Sequence, residues 1–185
     1  GPVATTPAAP SPRAGGRDAA RVDAAIGDRI IPLRPADFLD GRLRLLVPAE
    51  FHPMSPELIR IKYPSARRPQ EVLSNDDGTV TIAVSHTPTR VTPTQLPSLF
   101  RMMSGQLEQA NPRARWFQSE TGTINGRSFF LLDFRTPAAD TNIRNVMLGT
   151  SFQGRLVLVS FNMIEALEDE WMPVGNKIIA SLQLK

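Results

Sequence analysis

His52 and His86 are the two side chains of this chain able to exchange a proton near neutral pH, and proton transfer is the first chemistry to look for. Each lies close to a proline, Pro53 and Pro88, with no carboxylate or second histidine at the spacing a metal ligand set requires. Both read as turn or strand-end residues. The chain has no cysteine, which removes disulfides, thiolate nucleophiles and cysteine-held metals from consideration. Among the serines none occupies a Gly-x-Ser-x-Gly elbow; Gly149-Thr150-Ser151 lacks the second glycine. No phosphate-cradling or dinucleotide-binding glycine loop is present, so the sequence implies no cofactor.

One acidic cluster, Glu165, Glu168, Asp169 and Glu170, has the composition for paired acid and base work. The simpler reading places these carboxylates just before a helix that starts at Pro173, where the helix dipole stabilises them. Six cations, Arg60, Lys62, Arg67, Arg68, Arg113 and Arg115, are the candidate binding residues, for an acidic protein partner or for lipid headgroups. Arg67-Arg68 is the leading contact, because it lies in a proline-flanked loop. Trp116 and Phe117 offer an aromatic anchor, though in a strand at least one of the two belongs to a core. The net charge of +3 is too small for a nucleic-acid groove.

These side chains must be held by a folded domain. A length of 185 residues with 41% hydrophobic and 21% charged residues suits one globular domain. Residues 1–28 read as a disordered Ala/Pro-rich tether, opened by a Gly1-Pro2 pair that resembles the remnant of a cleaved purification tag; Asp18 to Ile26 has the spacing for a marginal helical turn. Residues 29–185 read as the domain. Arg42 to Val47 alternates as a half-wet strand, and Leu58 to Tyr63 repeats that alternation as a second strand. Asn75 to Gly78 is a hairpin turn between Val72-Leu73 and Val80 to Val84. From Thr94, taken as the cap, to Ala110 the apolar residues recur at helical spacing. Two further hairpins follow, turning at Ile124 to Arg127 and at Gln153-Gly154, before the terminal helix from Pro173. Phe129 to Phe134 is apolar on both sides, as in a strand covered on both faces.

This order, strands, helix, strands, helix with tight hairpins, gives an α+β fold: an antiparallel sheet flanked by helices on both faces. Three stretches, Leu43 to Phe51, the helix Leu96 to Leu107, and Trp171 to Leu182, resemble the PsbP-like and DcrB-like fold family, a sandwich of helices around one sheet. The resemblance implies a non-catalytic protein: a docking subunit, a lipoprotein, a secretion-associated chaperone or an immunity protein. The expectation is therefore a protein-binding module of the bacterial envelope, periplasmic or anchored facing the periplasm, with the role of neutralising a secreted toxic effector. A cytoplasmic chaperone or adaptor that holds an apolar segment of a secreted effector is the alternative. The partner is expected to be another protein, not nucleic acid, and a membrane only through an anchor ahead of Gly1.

Overall fold

A computed structural model describes residues 22–26 and 29–185. Of the tether expected over residues 1–28, residues 1–21, 27 and 28 lie outside them. The part of it that is described, Val22–Ile26, is a strand and not a helical turn, because it pairs along its whole length with Arg29–Phe38. The described residues form α+β structure in two compact units, 1–51 with 169–185 and 52–168. Every strand pairing in both is antiparallel.

The smaller unit holds a four-stranded sheet in the order β1 (Val22–Ile26), β2 (Arg29–Phe38), β3 (Leu43–Pro48) and β11 (Gln183–Leu184). Alternation places Leu43, Leu45 and Val47 on one side of β3, and all three are fully buried. On the wetter side Arg44 faces Asp37 across the β2–β3 pair, with Nε donating to Oδ1 at 2.8 Å. That hydrogen bond holds the Asp37 carboxyl below the usual carboxylate range. The terminal helix contributes Trp171, Val174 and Ile178, a buried stripe at helical spacing. Trp171 packs on Phe51 at 5.7 Å between ring centres, and Ser181 Oγ accepts from the Leu46 amide at 2.9 Å.

The larger unit is built on a seven-stranded sheet ordered β4 (His52–Pro53), β5 (Glu71–Ser74), β6 (Val80–Arg90), β10 (Arg155–Ile164), β9 (Asn142–Phe152), β8 (Arg127–Pro137) and β7 (Arg115–Ile124). Helices α1 (Pro56–Lys62) and α2 (Leu96–Ala110) lie on the same face of it. Val72, Ala83, Met147 and Leu132 mark that face in one row across the strands; the first two pack with Ile59 of α1, the last two with the apolar stripe of α2. The opposite row, Leu73, Ile82, Phe161, Val146 and Asp133, is buried as well, so the central strands are covered on both faces.

Three local expectations need correction. Leu58 to Tyr63 is not a strand: Ser55 caps a helix by accepting from the Leu58 amide, Pro56 occupies its first turn, and Glu57 sits at its positive end. Thr94 is not the cap of the long helix. A 3₁₀ turn at Pro93–Gln95 precedes it, and Gln95 Oε1 accepts from the Thr92 amide as in a capping box. The terminal helix α3 spans Glu168–Ala180 and carries Pro173 inside it. Pro173 lies on the exposed side, where water can satisfy the carbonyl that the missing N–H leaves free.

Candidate interaction surface

The polar centre of the larger unit grows from one misfit in an apolar strand. Asp133 is buried within Phe129 to Phe134, and a carboxylate there must be paired. Its partner stands on the neighbouring strand: Arg144 donates from Nε to Oδ1 at 2.5 Å and from Nη2 to Oδ2 at 2.8 Å. Arg144 also donates from Nη1 to Glu168 Oε1 at 2.8 Å. Arg135, directly opposite Arg144 in the β8–β9 register, closes the group with two bonds to Glu168 at 2.7 and 2.6 Å. Glu168 is thus gripped by two guanidinium groups. The Arg135 hydrogen bond, then that from Arg144, holds its carboxyl below the usual range against the opposing effect of burial. Both arginines are shifted further upward, Arg135 chiefly through its bond to Glu168 and Arg144 chiefly through its bond to Asp133.

A carboxylate so held is a fixed anion and a poor proton donor at neutral pH. The acidic cluster therefore does not act as one group. Glu168 serves the ion network, Glu165 accepts from Asn142 Nδ2 at 2.7 Å and lies 3.7 Å from Arg135, and Asp169 and Glu170 are exposed on the first turn of α3. The helix starts at Glu168 and not at Pro173, so Glu168, Asp169 and Glu170 lie in its first turn and not before it. Among the described residues no three His, Asp or Glu side chains converge as metal ligands would.

Above this network stands Phe117, at a break in the β7–β8 register between Trp116 and Gln118. The break separates two adjacent aromatics. Trp116 turns into the apolar core and stacks on Phe134 at 4.6 Å, while Phe117 stays 38% exposed. The Phe117 ring faces three guanidinium carbons, those of Arg144 at 3.8 Å, Arg115 at 5.0 Å and Arg135 at 5.1 Å from its centre.

Beyond the bulge, β7 is the last strand of its sheet and runs for ten residues, Arg115–Ile124. Its hairpin to β8 turns on Asn125 and Gly126, with φ of 51° and 79°, the pairing of a two-residue type I′ turn. In such a hairpin Ile124 and Arg127 exchange hydrogen bonds, so alternation aims the backbone of Gly122 and Glu120 at β8. The N–H and C=O groups of Ser119, Thr121 and Thr123 point the other way. Among the described residues no strand pairs with that side.

The six cations divide between the two ends of this sheet. Arg60 and Lys62 sit on α1 and Arg67 and Arg68 in the loop after it, beside β5; Arg113 and Arg115 sit at the start of β7. Five strand spacings of about 4.8 Å each separate β5 from β7, so the six form no single patch. Arg68, expected with Arg67 as the leading contact, is half-buried and donates to the carbonyls of Tyr63 at 3.0 Å and Pro64 at 3.4 Å. The histidines are also apart. His52 Nε2 lies 2.7 Å from exposed Asp76, whereas His86 is buried with Nε2 at 2.9 Å from the Phe152 carbonyl and Nδ1 at 3.1 Å from Arg155. A carbonyl at Nε2 and a guanidinium at Nδ1 assign the Nε2–H tautomer. At the tip of the β7–β8 hairpin, a cleft of about 340 Å³ is lined by Pro93, Asn125, Gly126, Arg127, Ser128 and Ser151. Its cation, Arg127, donates to the Ser151 carbonyl at 2.9 Å.

Compared with known proteins, the chain matches no protein-family model, and no curated sequence resembles it closely enough to count as a relative. Its fold is nevertheless a known one. The solution structure of cyanobacterial PsbP (CyanoP) from Synechocystis superposes with a TM-score of 0.59 at 14% identity, over 88% of this chain and 98% of that one. The crystal structure of LpqN, described as involved in cell envelope biogenesis of Mycobacterium tuberculosis, superposes with a TM-score of 0.54 at 15% identity, over 86% and 94%. A Bacteroides thetaiotaomicron protein gives 0.52 at 10% identity, over 82% of this chain and 48% of its own. The chain has a PsbP-like α+β fold.

Proposed function

We propose that this chain is a non-catalytic protein-binding module of the bacterial envelope, and that it takes a strand of its partner onto the outer side of β7. The observation that carries this reading is the row of backbone groups on Ser119, Thr121 and Thr123, which face away from β8 on a ten-residue edge strand. An added strand satisfies those groups, and Arg113 and Arg115 at the start of β7 favour an acidic segment there. Phe117 supplies a partly exposed ring at the same strand. The fold shared with LpqN supports the envelope setting. Neutralising a secreted toxic effector is the particular role we assign, since covering an effector's own strand requires no chemistry from the binder. The chaperone alternative needs a continuous apolar groove, and the exposed large apolar residues Ile30, Leu58, Ile61, Met102 and Phe117 lie on four different elements.

Proline substitution on the strand tests the reading. A partner captured from an envelope fraction is titrated calorimetrically against the wild type, Thr121→Val and Thr121→Pro. Thr121→Pro removes an outward N–H and leaves the ladder to β8 intact. It should bind roughly tenfold more weakly, with Thr121→Val unchanged. Equal affinity of all three proteins refutes the strand-addition contact.

A further inference from the structure

Helix α1 and the loop after it combine a surplus of positive charge with exposed apolar side chains. Residues 56–70 carry four cations, Arg60, Lys62, Arg67 and Arg68, against the single acid Glu57, a surplus of three that equals the net charge of the whole chain, +3. The same segment holds Ile61, 75% exposed, and Leu58, 42% exposed. Their i, i+3 spacing makes them neighbours on the outer surface of the helix. Ile59 points the other way and packs with Met54, Val72 and Ala83, so the helix is fastened to the sheet by one side while its apolar pair faces outward.

We propose that this segment is a docking site for an anionic lipid surface, with Leu58 and Ile61 entering the headgroup boundary and Arg60, Lys62 and Arg67 meeting the lipid phosphates. Charge complementarity names the occupant. Exposed isoleucine amid cations suits an interface whose outer layer is anionic and whose next layer is apolar, and the stems of lysine and arginine reach along such a boundary. Of the nearby acids, Asp76 is engaged by His52 at 2.7 Å and Asp77 by the Thr79 hydroxyl at 2.6 Å, while Lys62 Nζ donates to the Gly78 carbonyl at 3.3 Å. Arg60 and Arg67 are accordingly the cations to remove in a test. The site lies at the β4–β5 end of the larger sheet and does not depend on the contact proposed for β7.

Co-sedimentation of the full chain with vesicles decides the matter. The wild type should partition onto mixed phosphatidylcholine and phosphatidylglycerol vesicles, release as salt rises, and ignore phosphatidylcholine alone. Removing both charges in Arg60→Gln/Arg67→Gln should weaken partitioning about thirtyfold, and Ile61→Ser roughly tenfold. Far-UV circular dichroism and melting temperature, expected to match the wild type, confirm that these surface variants fold. Absence of wild-type binding to the anionic vesicles overturns the proposal, as does binding to both vesicle types alike. A double variant that binds as the wild type does also overturns it. An acidic protein as the true ligand would appear as the first of these results.

Discussion

Phe130 lies across Gly149, its cross-strand partner on β9, so closely that a Cβ on the glycine would stand 2.1 Å from the ring's Cζ. The ring has no room to retreat, being fully buried and packed on Phe100 at 5.7 Å between centres. Aromatic and glycine together fill one cross-strand site beneath α2. Gly149→Ala should therefore cost about 3 kcal/mol in urea unfolding. Phe130→Leu should cost less in the Gly149→Ala background than alone, because the two residues occupy the same space. Additive effects would mean that the ring does not lie over the glycine.

Gly126 makes the contrasting case. Nothing stands within 4 Å of an added Cβ there, but its φ is +79°. Gly126→Ala should cost about 1 kcal/mol through backbone strain alone. Chemical denaturation measures it, and a loss as large as that for Gly149→Ala would contradict the assignment of separate causes.

The ion network makes a prediction about its own geometry. Arg144→Leu strands Asp133, whose side chain is 8% exposed, and takes from equally buried Glu168 one of its two guanidinium partners. It should destabilise by about 3 kcal/mol. Removing Asp133 as well, in Asp133→Leu/Arg144→Leu, should recover part of that loss, as a double-mutant cycle would register.

The Glu168 carboxyl gives the same network a pH signature. Its folded value lies below the ordinary 4.5, so the stability it confers is fully present above that pH and disappears as pH falls through the lowered folded value. The stability difference between the wild type and Glu168→Gln should be constant near neutrality and shrink in acid. A difference that persists unchanged to acid denaturation would remove Glu168 from the paired state described above.

Much of this fold was legible in the sequence; what escaped did so partly for local reasons and partly because it depends on strand register and sheet order. The three hairpin turns and the α2 stripe follow from glycine placement and from apolar spacing, because these signals act within a few residues. Leu58 to Tyr63 misled because Leu-Ile-Arg-Ile-Lys-Tyr alternates like a strand, while the decisive Ser55-Pro56-Glu57 helix start stands just before it. Pro173 misled in the other direction, since a proline on an exposed helical face is tolerated. The ion network could not be read from spacing: Asp133, Arg144 and Glu168 meet only through strand register and a chain reversal. Its one signal was Asp133, a charge inside an apolar strand. The division of the six cations likewise depends on sheet order, which puts β5 and β7 at opposite ends.

Amide hydrogen exchange with the captured partner bound tests the central claim, strand addition to β7, most directly. Slowed exchange at Ser119, Thr121 and Thr123 on binding is the expected result, with Glu120 and Gly122 already slow in the free protein. A saturated complex in which those three amides exchange as fast as before would contradict it.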